Sequence, residues 1–204
     1  MKKKIIGLIP TRLSSKRLPA KALLPINGYP LIVHVYKRAK LSKLLDDVFV
    51  CCDSKKIFDV VKNYGGKALL TSKKHLNGTE RIAEGYKSLK KKYNYVVDIQ
   101  GDEPLVNPNH IDKVIKYHLK NSDSDIIVPS LKIGETFNEN IVKIVKDNNE
   151  KVLYFSRSTI PFGFKNKNKF VDKHLSIISF KPNALKLFTK SKQAKLEKIE
   201  GVEL

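Results

Sequence analysis

The chain has 204 residues, 41% of them hydrophobic, with 40 Lys+Arg against 20 Asp+Glu and a formal net charge of +20. This length supports one sizeable core, so a single domain over 1–204 is expected. No apolar run is long enough to span a bilayer, and IIGLIP is too short for a signal-peptide core, so a cytoplasmic protein is expected.

KIIGLI (4–9) is a short apolar run broken by Pro10 and reads as a buried first strand. PLIVHVYKRAKL (30–41) has apolar residues at helical spacing, and DVFVCC (47–52) reads as a second strand. Its neighbouring Cys51 and Cys52 are too close for an ordinary structural disulfide, and no Cys/His spacing suggests zinc; both read as packed, reduced thiols. DSKKIFDVVKNYGG (53–66) reads as a helix with an Asp/Ser start and a Gly stop, followed by strand KALLT (67–71) and a helix over 78–91. YNYVVDI (93–99) is a fourth strand, NPNHIDKVIKYHLKN (107–121) a helix, and DIIVPS (125–130) strand-like. This β-α alternation predicts an α/β fold: a doubly wound, mostly parallel sheet with helices on both faces. The rhythm then changes. IVKIVKDNNEKVLYFS (141–156) reads as a β-hairpin around Asp147-Asn148-Asn149, HLSIISF (174–180) as one strand, and PNALKLFTK (182–190) as a short helix. KQAKLEKIEGVEL begins an amphipathic helix with no stop signal before Leu204, so the chain reads as cut rather than finished.

The charge invites a nucleic-acid reading, but Lys supplies 35 of the 40 cations, scattered over predicted helix faces. There is no aromatic RNA-binding sheet pattern and no helix-turn-helix pattern. The informative cations are the rare arginines, Arg12, Arg17, Arg38, Arg81 and Arg157. A guanidinium grips phosphate or carboxylate with a rigid fork that lysine lacks.

In open α/β sheets, ligands lie beyond the carboxyl ends of the strands, and three unusual segments fall there. PTRLSSKRLPAK (10–21) carries Arg12, Lys16, Arg17 and Lys21 with very little apolar content. A disordered basic loop is the bland reading. Between a buried strand and a helix, however, four crowded cations call for an anion. Each charge-assisted hydrogen bond to one contributes roughly 1.5–3 kcal/mol. The loop has neither a Walker nor a GxGxxG pattern. NGTERIAEG (77–85) reads as a helix start with Thr79 as a candidate cap, yet Arg81 in its first turn opposes the helix dipole. VVDIQGDEPL (96–105) delivers Asp102 between Gly101 and Glu103-Pro104. Asp102 either opens a simple turn or holds Mg²⁺ that bridges phosphates supplied by the basic loop.

Together, PTRLSSKRLPAKALLPINGYPLIVHV, NGTERIAE, VVDIQGDEPLV and YFSRSTIPF resemble the signature blocks of the 3-deoxy-manno-octulosonate (KDO) cytidylyltransferases, in the right order. FNENIVKIV, HLSIISF and LEKIEGVEL match more loosely. The RLPxK and QGDEP pairing separates the chain from sialic-acid cytidylyltransferases. The resemblance implies a Rossmann-like nucleotidyltransferase sheet with a β-hairpin dimerisation insertion, residues 141–180 forming a sugar-binding and dimerisation subregion. It implies Mg²⁺-dependent transfer of CMP from CTP to the anomeric hydroxyl of KDO, for lipopolysaccharide synthesis, by a homodimer that binds no nucleic acid and inserts in no membrane. Arg12, Ser15, Arg17 and Lys21 are then expected on the triphosphate, and Thr79 and Arg81 in the cytidine block. Gln100, Arg157 and His174 are expected on the sugar side, and Asp102 on the metal, with Arg12, Lys21 and Asp102 catalytic.

Three departures stand out. Ala20 replaces the loop's usual Gly, and Ser176, Ile178 and Ser179 stand at the glycine, tyrosine and glycine places of an HxGiYgy-like segment. A VDTPED-like segment, whose Asp is a second metal ligand, does not follow. The expectation is therefore a fragment or a degenerate relative of poor activity. Two alternatives accompany it: a cytidylyltransferase for amino-KDO or a sialic-acid-like sugar, and a non-catalytic basic module that binds nucleic acid or anionic surfaces.

Overall fold

The structure is a computed structural model and describes residues 2–14, 18–164 and 169–202. The chain gathers into two compact units, Met1–Ile127 with Ser176–Ser191, and Val128–Leu175 with Lys192–Leu204.

The first unit is built on a six-stranded sheet of β1 (Ile5–Thr11), β4 (Asp47–Cys52), β5 (Ala68–Leu70), β6 (Tyr95–Ile99), β7 (Ile126–Ile127) and β12 (Ile177–Phe180). Its order is β5-β4-β1-β6-β12-β7. The first four strands run parallel, and β12 is antiparallel to both neighbours. Two-residue strands β2 (Pro25–Ile26) and β3 (Tyr29–Pro30) flank Asn27-Gly28, both at positive φ, as a tight hairpin turn requires.

Strand alternation sorts the helices. Val48, Val50 and Cys52 of β4 share a core with Tyr95, Val97 and Ile99 of β6. Against them pack α1 (Leu31–Ala39), α2 (Lys55–Asn63) and α4 (Pro108–Lys120), through Val35, Ile57 and Ile111 among others. Cys51 faces the other way, where α3 (Gly78–Ser88) approaches so closely that a Cβ on Gly85 would lie 2.4 Å from its Sγ. α5 (Pro182–Lys190) packs on α3. Helices therefore cover both faces, as the β-α alternation predicts. No helix among the described residues is long and apolar enough to cross a membrane.

The second unit is an antiparallel sheet of β8 (Ser130–Gly134), β9 (Lys143–Lys146), β10 (Val152–Ser156) and β11 (Phe170–His174), in the order β10-β9-β11-β8, with α6 (Lys195–Glu200). The expected hairpin is β9–β10, closed by Asp147 N–H on the Lys151 carbonyl at 2.9 Å.

Three sequence expectations need correction. DIIVPS is not one strand: β7 and β8 belong to different sheets, with Pro129 between them. HLSIISF is likewise two strands, because β11 pairs in the second unit and β12 in the first, with Leu175 and Ser176 as the break. Finally, the last helix does stop, at Gly201 with φ 59°, a left-handed cap that glycine adopts at little cost.

Candidate active site

The parallel strands β1, β4, β5 and β6 all deliver their carboxyl ends to one edge of the first unit, and the predicted segments begin there. Leu8 of β1 stands beside Asp98 of β6, so the segments leaving these strands emerge as neighbours. Gly101 is where they touch. A Cβ on it would lie 2.3 Å from the Pro10 carbonyl oxygen, so only glycine allows this approach. Glu103 N–H donates to the Gln100 carbonyl at 3.4 Å, closing a turn that puts Asp102 at its exposed tip.

Asp102 does not stand alone. Its Oδ2 accepts from Lys21 Nζ at 2.8 Å, 81 residues away in sequence. Both side chains are partly open to water, 35% for Lys21 and 52% for Asp102. An expected phosphate ligand and an expected metal ligand thus meet in one ion pair. Arg12 is exposed at the end of β1. Ser15 and Arg17 lie outside the described residues.

The described part of the basic loop is pinned at its root. Leu13 N–H donates to Asp53 Oδ1 at 2.9 Å, and the Leu13 carbonyl accepts from Ala20 N–H at 3.2 Å. Ala20 takes φ 53°, the left-handed region, which glycine enters without strain and alanine does not. Lys21 follows at the start of a single 3-10 turn, Lys21–Leu23, whose Leu23 N–H returns to the Ala20 carbonyl at 2.8 Å.

At the start of α3, Asn77 rather than Thr79 is the cap, its side chain accepting from Glu80 N–H at 2.8 Å. Thr79 is buried. Arg81 is also buried, and its contacts explain a cation in the first turn. Nη1 donates to Thr71 Oγ1 at 2.8 Å and to the Ser72 carbonyl at 3.0 Å, and Nη2 lies 3.9 Å from Asp53 Oδ2. Fixed local partners offset the dipole. Ser72 N–H in turn donates to Glu84 Oε2 at 2.8 Å, and His75 Nε2 contacts the same oxygen. Burial alone would raise the Glu84 pKa; the hydrogen bonds from His75 and Ser72 outweigh it and hold the carboxyl below its usual range. Gln100 is partly buried at the end of β6, its N–H 3.4 Å from the Ser176 carbonyl.

The two remaining sugar-side candidates, Arg157 and His174, belong to the second unit, where each has partners of its own. Arg157 Nε donates to the Glu200 carbonyl at 2.7 Å, Nη1 to the Glu139 carbonyl at 2.8 Å and Nη2 to the Gly201 carbonyl at 3.0 Å. Glu200 completes the tie, accepting from Arg157 N–H and from the hydroxyls of Tyr154 and Ser156. Here the guanidinium caps α6. His174 packs edge-on against Phe155, and desolvation pushes its pKa down to about 4, so the imidazole is neutral near neutral pH.

Asp53 and Glu200 are the connecting residues that sequence reasoning passed over. Asp53 did carry a signal: it follows DVFVCC directly, at the same carboxyl edge that Asp102 occupies after β6. Among the described residues no group of three His, Cys, Asp or Glu side chains converges to hold a metal ion.

A family model described as cytidylyltransferase matches residues 6–204. The chain is 43% identical to a 3-deoxy-manno-octulosonate cytidylyltransferase of Thermodesulfovibrio yellowstonii, over 97% of this chain and 83% of that protein. It is 38% identical to an 8-amino-3,8-dideoxy-manno-octulosonate cytidylyltransferase of Shewanella halifaxensis, over 96% of this chain and 82% of that protein. A solved CMP:2-keto-3-deoxy-manno-octonic acid synthetase complexed with CTP superposes with a TM-score of 0.89 at 28% identity, over 98% of this chain and 83% of that one.

Proposed function

Because this chain belongs to the cytidylyltransferase family, we propose that it transfers CMP from CTP to the anomeric hydroxyl of KDO, releasing pyrophosphate. The observation that carries this reading is the Lys21–Asp102 contact at the carboxyl edge of the parallel sheet, the same edge at which exposed Arg12 follows β1.

The 2-hydroxyl oxygen of the sugar forms a bond to the α-phosphorus of CTP while the bond to the bridging oxygen of pyrophosphate breaks, and one proton is released. Little covalent work falls to the protein. Arg12 and Lys21 are placed to neutralise the triphosphate and the departing pyrophosphate. Lys21 then exchanges a carboxylate partner for a phosphate. Gly101 and the turn it permits hold Asp102 in position, and positioning of this kind supplies much of the barrier reduction.

Asp102 suits Mg²⁺ as an exposed carboxylate, a hard oxygen donor. As one carboxylate without a protein cluster, it matches the habit of Mg²⁺ to take most of its ligands from phosphates and water. Mg²⁺, when bound, neutralises phosphate charge as it develops. A homodimer acting in the cytoplasm, in lipopolysaccharide synthesis, completes the proposal.

The test is pyrophosphate release from CTP with a panel of acceptors, KDO and its 8-amino analogue included. Release that depends on CTP and one of these acceptors supports the reading, and the Asp102→Asn protein should lose it by at least about 100-fold. Unchanged release in Asp102→Asn removes Asp102 from the mechanism. Absence of both CTP-selective binding and acceptor-dependent release overturns the whole reading.

A further inference from the structure

Hydrogen bonds and one ion pair at the carboxyl edge form a continuous chain, and its middle link is a residue that no functional role has yet claimed. Asp53 has a side chain only 7% exposed. Oδ1 takes the Leu13 N–H at 2.9 Å, one residue after Arg12, at the root of the basic loop. Oδ2 faces Arg81 Nη2 at 3.9 Å, and Arg81 grips Thr71 and Ser72 in the segment that leads into α3.

We propose that Asp53 is a positioning residue that couples the base-side segment to the phosphate-side loop, so that each half of the nucleotide site sets the geometry of the other. The inference rests on the nucleotide-site reading above. Its physical basis is the cost of leaving charge unpaired. The Arg81 guanidinium is buried, and the carboxylate facing it is buried with it, so neither moves without exposing the other to an uncompensated environment. A shift of Arg81 therefore displaces Asp53. Displacing Asp53 releases Leu13, whose main chain holds both the exit of Arg12 and, through Ala20, the start of the turn that carries Lys21.

The experiment separates the two halves with two probes, cytidine for the base and inorganic pyrophosphate for the phosphates. Binding is measured calorimetrically on wild type, Arg81→Lys, Asp53→Asn, Asp53→Ala and the Arg81→Lys/Asp53→Ala double variant, each checked for folding by its thermal midpoint. Arg81→Lys lies on the base side, yet pyrophosphate affinity is expected to fall on the order of 3- to 10-fold through the shared carboxylate. In the Asp53→Ala background the same Arg81→Lys change should have no further effect on pyrophosphate, a non-additive cycle. Asp53→Asn keeps an oxygen acceptor for Leu13 N–H and replaces the charged oxygen facing Arg81 with an uncharged amide NH2, so it carries the test if Asp53→Ala does not fold. It too should blunt the Arg81→Lys effect. A purely structural Asp53 would lower the thermal midpoint and leave both affinities of the folded protein unchanged, which overturns the inference. Independent, multiplying effects also overturn it, whereas failure of wild type to bind either probe overturns the nucleotide-site reading as well.

Discussion

His174 shows how a residue's surroundings set its charge. Read along the chain, it is a polar residue in a strand and a candidate cation for a sugar carboxylate. In the fold it is desolvated, and its pKa falls from 6.5 to about 4. The sign of the consequence follows. As pH falls through 6.5 the unfolded chain takes up the proton, while the folded chain resists it down to about 4, so stability is lost across that interval and fully retained above it. The expected loss is about 2 kcal/mol between about pH 7.5 and about pH 5, read from urea midpoints. His174→Gln should remove that share of the pH dependence; an unchanged slope would show that the ring titrates normally. Arg81 teaches a related lesson. Its rarity in a Lys-rich chain and its uncomfortable place in a first helical turn were legible, but its partners Thr71, Ser72 and Asp53 were not. They lie 10, 9 and 28 positions away, and only the folding of β4 and β5 side by side brings them together.

Elements follow local rules wherever their partners are local. The helices α1, α2 and α4 appear close to the predicted spans because each buries an apolar face at helical spacing against the sheet. Strand boundaries fared worse at 125–130 and 174–180, where a strand-like stretch conceals a change of sheet. Nothing local marks Leu175 and Ser176 as the break; the pairing of β12 with β6 and of β11 with β8 and β9 decides it. The turn after β6 is the opposite case, since Gly101 and Asp102 announced themselves. Its geometry supports a sharp expectation. Gly101→Ala pushes a Cβ against the Pro10 carbonyl oxygen, at 2.3 Å without rearrangement, and the turn has to move away from β1. A cost of about 1–3 kcal/mol in stability is expected from such overpacking. A displacement of Asp102 of about 1 Å would lower kcat/KM by about 100-fold. Measured together, a stability loss with unchanged kcat/KM would show that the turn does not position the reacting groups.

For the whole molecule, the two units differ in what they leave exposed. Every exposed phenylalanine among the described residues, Phe137, Phe162, Phe164 and Phe170, is in the second unit, and Leu131 and Leu153 are exposed there too. Apolar surface of this kind supports the proposed homodimer. Light scattering should then give twice the chain mass, and Leu153→Arg should shift it toward the monomer. A monomeric wild type at micromolar concentration would sink the dimer proposal. The amino-acid sequence by itself determined the α/β class, the strand ends from which the candidate segments emerge, and the blocks that carry the family resemblance. All of these rest on periodicity and on short-range residue order, which survive in a linear string. Only the tertiary structure decided that Lys21 meets Asp102, that Asp53 links Leu13 to Arg81, and that Arg157 caps α6. The physical reason is that each of these contacts joins residues far apart in the chain, 81 positions for Lys21 and Asp102, and their meeting place exists only after the strands have paired.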